Sequence, residues 1–161
     1  MKKIILMAVL ALGITIAANA QPRAIGGRLA YGVEASYQHT VAGADFVEAN
    51  LGLFGFGSLN ATATYNFMIA QPAWTDRGEW GFYAGPGASL GYHFANAVTI
   101  SAVGQVGLEY TFWFPLQLSV DLRPQIGIAA GKNIGPNGQD VAFYTGGLFG
   151  FVPTIGVRYR F

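Results

Sequence analysis

Between Arg28 and Gln38 every second residue sits on one apolar face: Leu29, Tyr31, Val33, Ala35 and Tyr37 alternate with Arg28, Ala30, Gly32, Glu34, Ser36 and Gln38. Successive side chains of a strand point to opposite sides, so a period of two predicts a strand with one apolar face, not a helix. The same split recurs down the chain. Val47, Ala49, Leu51 and Leu53 oppose Glu48, Asn50 and Gly52, and Leu59, Ala61, Ala63, Tyr65 and Phe67 oppose Asn60, Thr62, Thr64 and Asn66. Leu116, Leu118, Val120 and Leu122 oppose Gln117, Ser119, Asp121 and Arg123, and Ile155, Val157, Tyr159 and Phe161 oppose Thr154, Gly156, Arg158 and Arg160. The predicted strands are 24–38, 46–54, 59–70, 79–92, 97–112, 116–128, 141–149 and 153–161. The weakest division is the last, because the alternation runs unbroken from Gly147 to Phe161. Splitting it near Gly150 and Pro153 gives an even count with both chain ends on one side. Pro86 and Pro124 fall inside strands, where a missing N–H predicts bulges or strand ends.

Composition decides which face points inward. Hydrophobic residues make up 52% of the 161, aromatic ones 14% and charged ones 11%, well short of the roughly 25–35% charge that keeps a small soluble domain dispersed. A lipocalin-like soluble barrel would put the apolar set inside and show water a face of mostly Gly, Ser, Thr and Asn. A membrane barrel inverts this arrangement, with apolar residues toward lipid and a polar interior, and it suits the sequence better. Backbone groups in lipid must all be paired, so the sheet has to close on itself. The expected fold is all-β: a closed, antiparallel, up-and-down transmembrane β-barrel of eight strands. A formal net charge of +1 speaks against a nucleic-acid binder, and the lack of cysteine rules out a disulfide scaffold.

The first twenty residues read as a secretory signal: Lys2 and Lys3 lead an apolar stretch, Ile4 to Ala18, that ends in the A-x-A box Ala18-Asn19-Ala20. The expected division is a signal peptide over 1–20 and a barrel over 21–161, with seven basic and eight acidic residues in the second part.

The closing VRYRF, with Phe161 last and Tyr159 two before it, resembles the assembly signal of Gram-negative outer-membrane barrels. Together with GLEYTF at 107–112, FPLQLSVDLRP at 114–124 and GFYAGPGASLGY at 81–92, it resembles the small outer-membrane β-barrel proteins over almost the whole expected mature chain. The resemblance implies a cell outer-membrane location, lipid as a partner, and the barrel-assembly machinery as a second partner through Tyr159 and Phe161. It implies no particular activity and carries over no catalytic residue.

The alternation assigns eight charges to the interior: Arg28, Glu34, Glu48, Glu109, Asp121, Arg123, Arg158 and Arg160. Four of each sign suggest pairing, because a buried charge without a partner is expensive. An eight-stranded barrel is just wide enough to be filled by its own side chains, so the expectation is an ionic plug in a structural or surface-interaction protein. The alternatives are a narrow channel or carrier and a lipid-modifying enzyme. Inward Gly81, Gly85, Gly87 and Gly91 leave a wall without bulk, read either as a groove for a ligand or as room for arginines from the opposite wall. Ser36 and His39 are three apart on a strand and face opposite sides, which argues against a Ser-His pair. No cofactor and no metal site is expected. Trp74, Trp80, Phe112, Trp113, Phe114, Tyr159 and Phe161 gather near predicted strand ends, as an interfacial girdle requires.

Overall fold

The computed structural model describes residues 23–54, 57–94, 97–132, 134, 138–146 and 153–161, so the expected signal peptide lies outside the described residues. Ten strand segments follow one another: β1 (Arg23–Leu29), β2 (Gly32–Ala42), β3 (Asp45–Phe54), β4 (Ser58–Ala70), β5 (Glu79–His93), β6 (Ala97–Thr111), β7 (Leu116–Leu122), β8 (Gln125–Gly131), β9 (Val141–Gly146) and β10 (Thr154–Arg160). Each pairs antiparallel with its neighbours, and β1 pairs with β10, which closes the sheet.

The ten segments make eight staves. β7 and β8 both pair with β6 in one register, Leu122 opposite Val106 and Gln125 opposite Val103. They are one stave interrupted where Pro124 has no N–H to give; its carbonyl still accepts from the Gly104 N–H at 2.9 Å. β9 lies along β8 and β10 along β7, so they also share a stave. The predicted turn near Gly150 is therefore corrected: 141–149 and 153–161 are not two neighbouring strands. Eight positions separate Gly146 from Thr154 where four separate Asp121 from Gln125, so this stave carries four extra residues between its halves. The missing stave is at the other end of the chain, where the predicted strand 24–38 is a hairpin of β1 and β2 with Leu29 opposite Val33.

The corrected topology also changes which connections share an end. Arg23, Phe161 and the connections β2–β3, β4–β5 and β6–β7 lie at one end, called here the near end. The connections β1–β2, β3–β4, β5–β6 and β8–β9 lie at the far end. Parity counted from the C-terminus over the eight strands predicted from the sequence sets 39–45, 71–78, 113–115 and 150–152 opposite the C-terminus and 129–140 beside it. In the structure the β2–β3, β4–β5 and β6–β7 connections lie beside it and the β8–β9 connection opposite, and 150–152 lie outside the described residues.

The staves are tilted. From Arg28, the ladder through Glu34, Gly52, Asn60 and Gly91 arrives on β6 at Thr99. The other way round, through Gly156 and Ser119, it arrives at Glu109, ten residues along the same strand. Such a stagger is the geometric consequence of closing tilted strands into a barrel. Pro86 does not end β5. It pairs with Gly104 on one side, while the β4 ladder skips from Phe67–Ala84 to Thr64–Gly87.

Alternation sorts the side chains into an apolar outer face and a polar inner one. Ile25, Leu51, Leu90, Ile100, Val120 and Ile155 are exposed on the outside. The buried positions carry Arg28, Glu48, Asn66, Gln105, Asp121 and Arg158.

Candidate functional site

Among the described residues the interior collects polar groups away from solvent, and its middle holds a continuous ionic network. β3 sends Glu48 into the centre. There its carboxylate accepts from Arg28 Nη1 (3.0 Å), Arg158 Nη2 (2.6 Å), Ser36 Oγ (3.1 Å), Gln38 Nε2 (3.2 Å) and Gln105 Nε2 (3.3 Å). Arg28, on β1, reaches Asp121 of β7 with its other Nη, and the Tyr83 hydroxyl donates to the same aspartate at 3.2 Å. Arg158 completes its set on Ser36 Oγ and Ser119 Oγ, both at 2.8 Å. Arg123, just beyond β7, donates to Glu34, whose Oε2 also stands 3.6 Å from Arg28 Nη1. Three arginines and three carboxylates thus neutralise one another where solvent does not reach, the condition under which buried charge is tolerable.

Of the eight charges assigned to the interior, six meet in this network: Arg28, Glu34, Glu48, Asp121, Arg123 and Arg158. Glu109 is buried but stands apart, with its Oε2 unpartnered. Arg160 is half-buried at the near end. Charge counting missed Tyr83, Gln38, Gln105 and Ser119. One signal for Tyr83 was available: inward Gly107 lies directly opposite, and a Cβ there would stand 2.5 Å from the Tyr83 ring.

The glycine-rich wall of β5 does something other than house arginines. A Cβ at Gly85 would lie 1.7 Å from the Tyr65 carbonyl oxygen and one at Gly87 2.3 Å from that of Ala63, so these glycines let β4 and β5 approach closely. The glycine that makes room for an arginine is Gly156, beside the Arg158 head group.

Toward the far end the lining becomes short. Thr62 Oγ1 donates to Asn60 (2.9 Å), Ser89 Oγ to Asn60 (2.7 Å) and Ser101 Oγ to Gln125 (3.0 Å). At the near end a cavity of about 190 Å³ opens among Phe46, Met68, Glu79, Glu109, Gln117 and Arg160.

Outside the near end, the connection after β4 folds back so that Trp74 packs on Trp80 and Phe82, with ring centroids 5.5 and 5.4 Å apart. The ring contacts continue through Tyr110, Phe112 and Phe114 to Trp113, and Tyr159 stacks on Phe161 at 6.5 Å. Tyr110 OH donates to the Arg77 carbonyl at 2.7 Å, tying the connection to the wall. Ser36 is taken up by the arginine network, while His39 stacks on Tyr37. Among the described residues, no group of three or more His, Cys, Asp and Glu side chains is placed to hold a metal. Comparison with protein-family models, with curated proteins and with solved structures finds no match for this chain.

Proposed function

We propose that this chain is an integral outer-membrane β-barrel with a structural or surface-interaction role, its lumen closed by its own ionic side chains. The observation that carries the reading is the inverted polarity of the wall: Leu29, Val33, Leu51, Ile100, Val106, Val120 and Ile155 are exposed, while charged and amide side chains are buried. In water this arrangement forfeits the hydrophobic contribution to folding; in lipid it is the arrangement of lowest cost. β2 to β6 run 10–15 residues each, enough for the about 9–11 a tilted strand needs to span the hydrocarbon, while β1 shows seven. The aromatic cluster at the near end suits a membrane–water boundary, where a ring can meet acyl chains and its polar atom water. With both termini in the periplasm, the connection between β8 and β9 faces outward, the side on which barrels of this kind carry their longer loops. Tyr159 and Phe161, exposed on the terminal stave, are the groups we assign to recognition by the assembly machinery.

The test is refolding of the purified chain into lipid vesicles. Folding into vesicles, with heat-dependent gel mobility, is the expected outcome, and Leu118→Arg should cost about 2–4 kcal/mol near the bilayer midplane while Leu118→Met costs little. Planar-bilayer recording should show no steady conductance. A chain that stays monomeric in buffer without detergent overturns the membrane reading, and large reproducible currents overturn the closed lumen.

A further inference from the structure

The near-end cavity faces two buried acceptors that no described residue satisfies. Glu109, on β6, is 8% exposed and its Oε2 has no hydrogen-bond partner. Gln117, on the neighbouring β7, is 4% exposed and its Oε1 has none either. Both line the same space of about 190 Å³. The network arginines are committed elsewhere: Arg28 to Glu48 and Asp121, Arg158 to Glu48, Arg123 to Glu34. Arg160 lines the cavity but forms no ion pair with Glu109 among the described residues, and Glu79 adds a second carboxylate to the lining.

What these two acceptors lack is donors, and a lining with Glu109 and Glu79 against the one arginine, Arg160, is net negative and favours positive ones. An anion would meet Glu109 and Glu79. A primary ammonium carries three N–H donors and no acceptor, which suits a carboxylate oxygen and an amide oxygen side by side. Since one water occupies about 30 Å³ of liquid, the cavity has room for such a head group with a short carbon chain, and Phe46 and Met68 give that chain an apolar wall. We propose that the near end of the lumen is a binding site for a primary ammonium group, held by Glu109 and Gln117. The site lies inside the barrel, so it does not depend on whether lipid or another solvent surrounds the outer wall.

Calorimetric titration of the folded barrel tests this with three probes: ethylammonium, tetramethylammonium and acetate. Ethylammonium should bind saturably, and tetramethylammonium, with equal charge and no N–H, at least about tenfold more weakly, as expected for loss of charge-assisted hydrogen bonds. Glu109→Gln should weaken ethylammonium by about tenfold or more while gel mobility stays that of the folded barrel. If that variant fails to fold, the selectivity of the unsubstituted protein decides alone. A short-chain phosphatidylethanolamine distinguishes the sources. Tighter, Glu109-dependent binding of the lipid assigns a head group and equal binding of ethylammonium a free amine, and either supports the ammonium site. Absence of saturable binding, equal affinity for the two cations, or ethylammonium binding unchanged in Glu109→Gln overturns it. So does acetate binding that disappears in Arg160→Gln.

Discussion

The middle of the lumen and its far end are both polar, yet they are held together differently. In the middle the bonds cross open space: Arg28–Asp121 ties β1 to β7, Arg158–Glu48 ties β10 to β3, and Gln105–Glu48 ties β6 to β3. At the far end Thr62 bonds Asn60 on its own strand, Ser89 bonds Asn60 on the next, and Ser101 bonds Gln125 on the next. Reach explains the difference. A guanidinium on a three-carbon stem spans a narrow barrel, whereas a hydroxyl on one carbon finds its partner along the wall. The middle is thus a brace between distant staves, and the far end a wall stitched to itself.

That contrast sets an order of effects. The largest belongs to Arg28→Met, which takes one donor from Glu48 and leaves Asp121 with the Tyr83 hydroxyl. Stripping a buried charge of its partner costs about 3–5 kcal/mol, readable from urea unfolding in vesicles. Adding Asp121→Leu to Arg28→Met should recover part of the loss, because removing both members is far milder than removing one; no recovery would mean that the two residues do not act as a pair. Next comes Arg123→Met, which frees Glu34 at the boundary of the network, where Arg28 still stands 3.6 Å away. We expect about 1.5–3 kcal/mol there, the value of a hydrogen bond to a charged group. Smallest is Thr62→Val, with about 0.5–1.5 kcal/mol for one neutral wall bond. Should Thr62→Val cost as much as Arg28→Met, the distinction between brace and wall would fail.

The faces were legible in the sequence and the first turn was not, for a physical reason. Residues opposite one another in an antiparallel pair point to the same side, so a hairpin closed by Leu29 and Val33, four positions apart, leaves the period of two intact. The turn between β1 and β2 is therefore invisible to alternation. Its local mark is Gly32, where a Cβ would lie 2.0 Å from the Leu53 carbonyl oxygen. The reverse error arose at Gly150 and Pro153, where turn-forming residues suggested a hairpin, whereas β9 pairs with β8 and β10 with β7 rather than with each other. One turn missed and one supplied left the count at eight. The interior charges could be assigned by parity alone. Their partners could not, because Arg28 and Asp121 are 93 positions apart and meet only through the stagger of the closed sheet.

Closure of β1 against β10 also has a consequence in time. Ala24 pairs with Arg160, so the seam joins the first described stave to nearly the last residues of the chain. Contacts that distant in sequence make folding slow, since the entropy of bringing the ends together is spent before any pairing returns it. A chain lacking its last ten residues holds Glu48 without Arg158, and Ser119 without its guanidinium donor, so that three network carboxylates face two arginines. The terminal stave brings both the seam and the missing positive charge, so barrel completion and charge neutralisation fall in the same step.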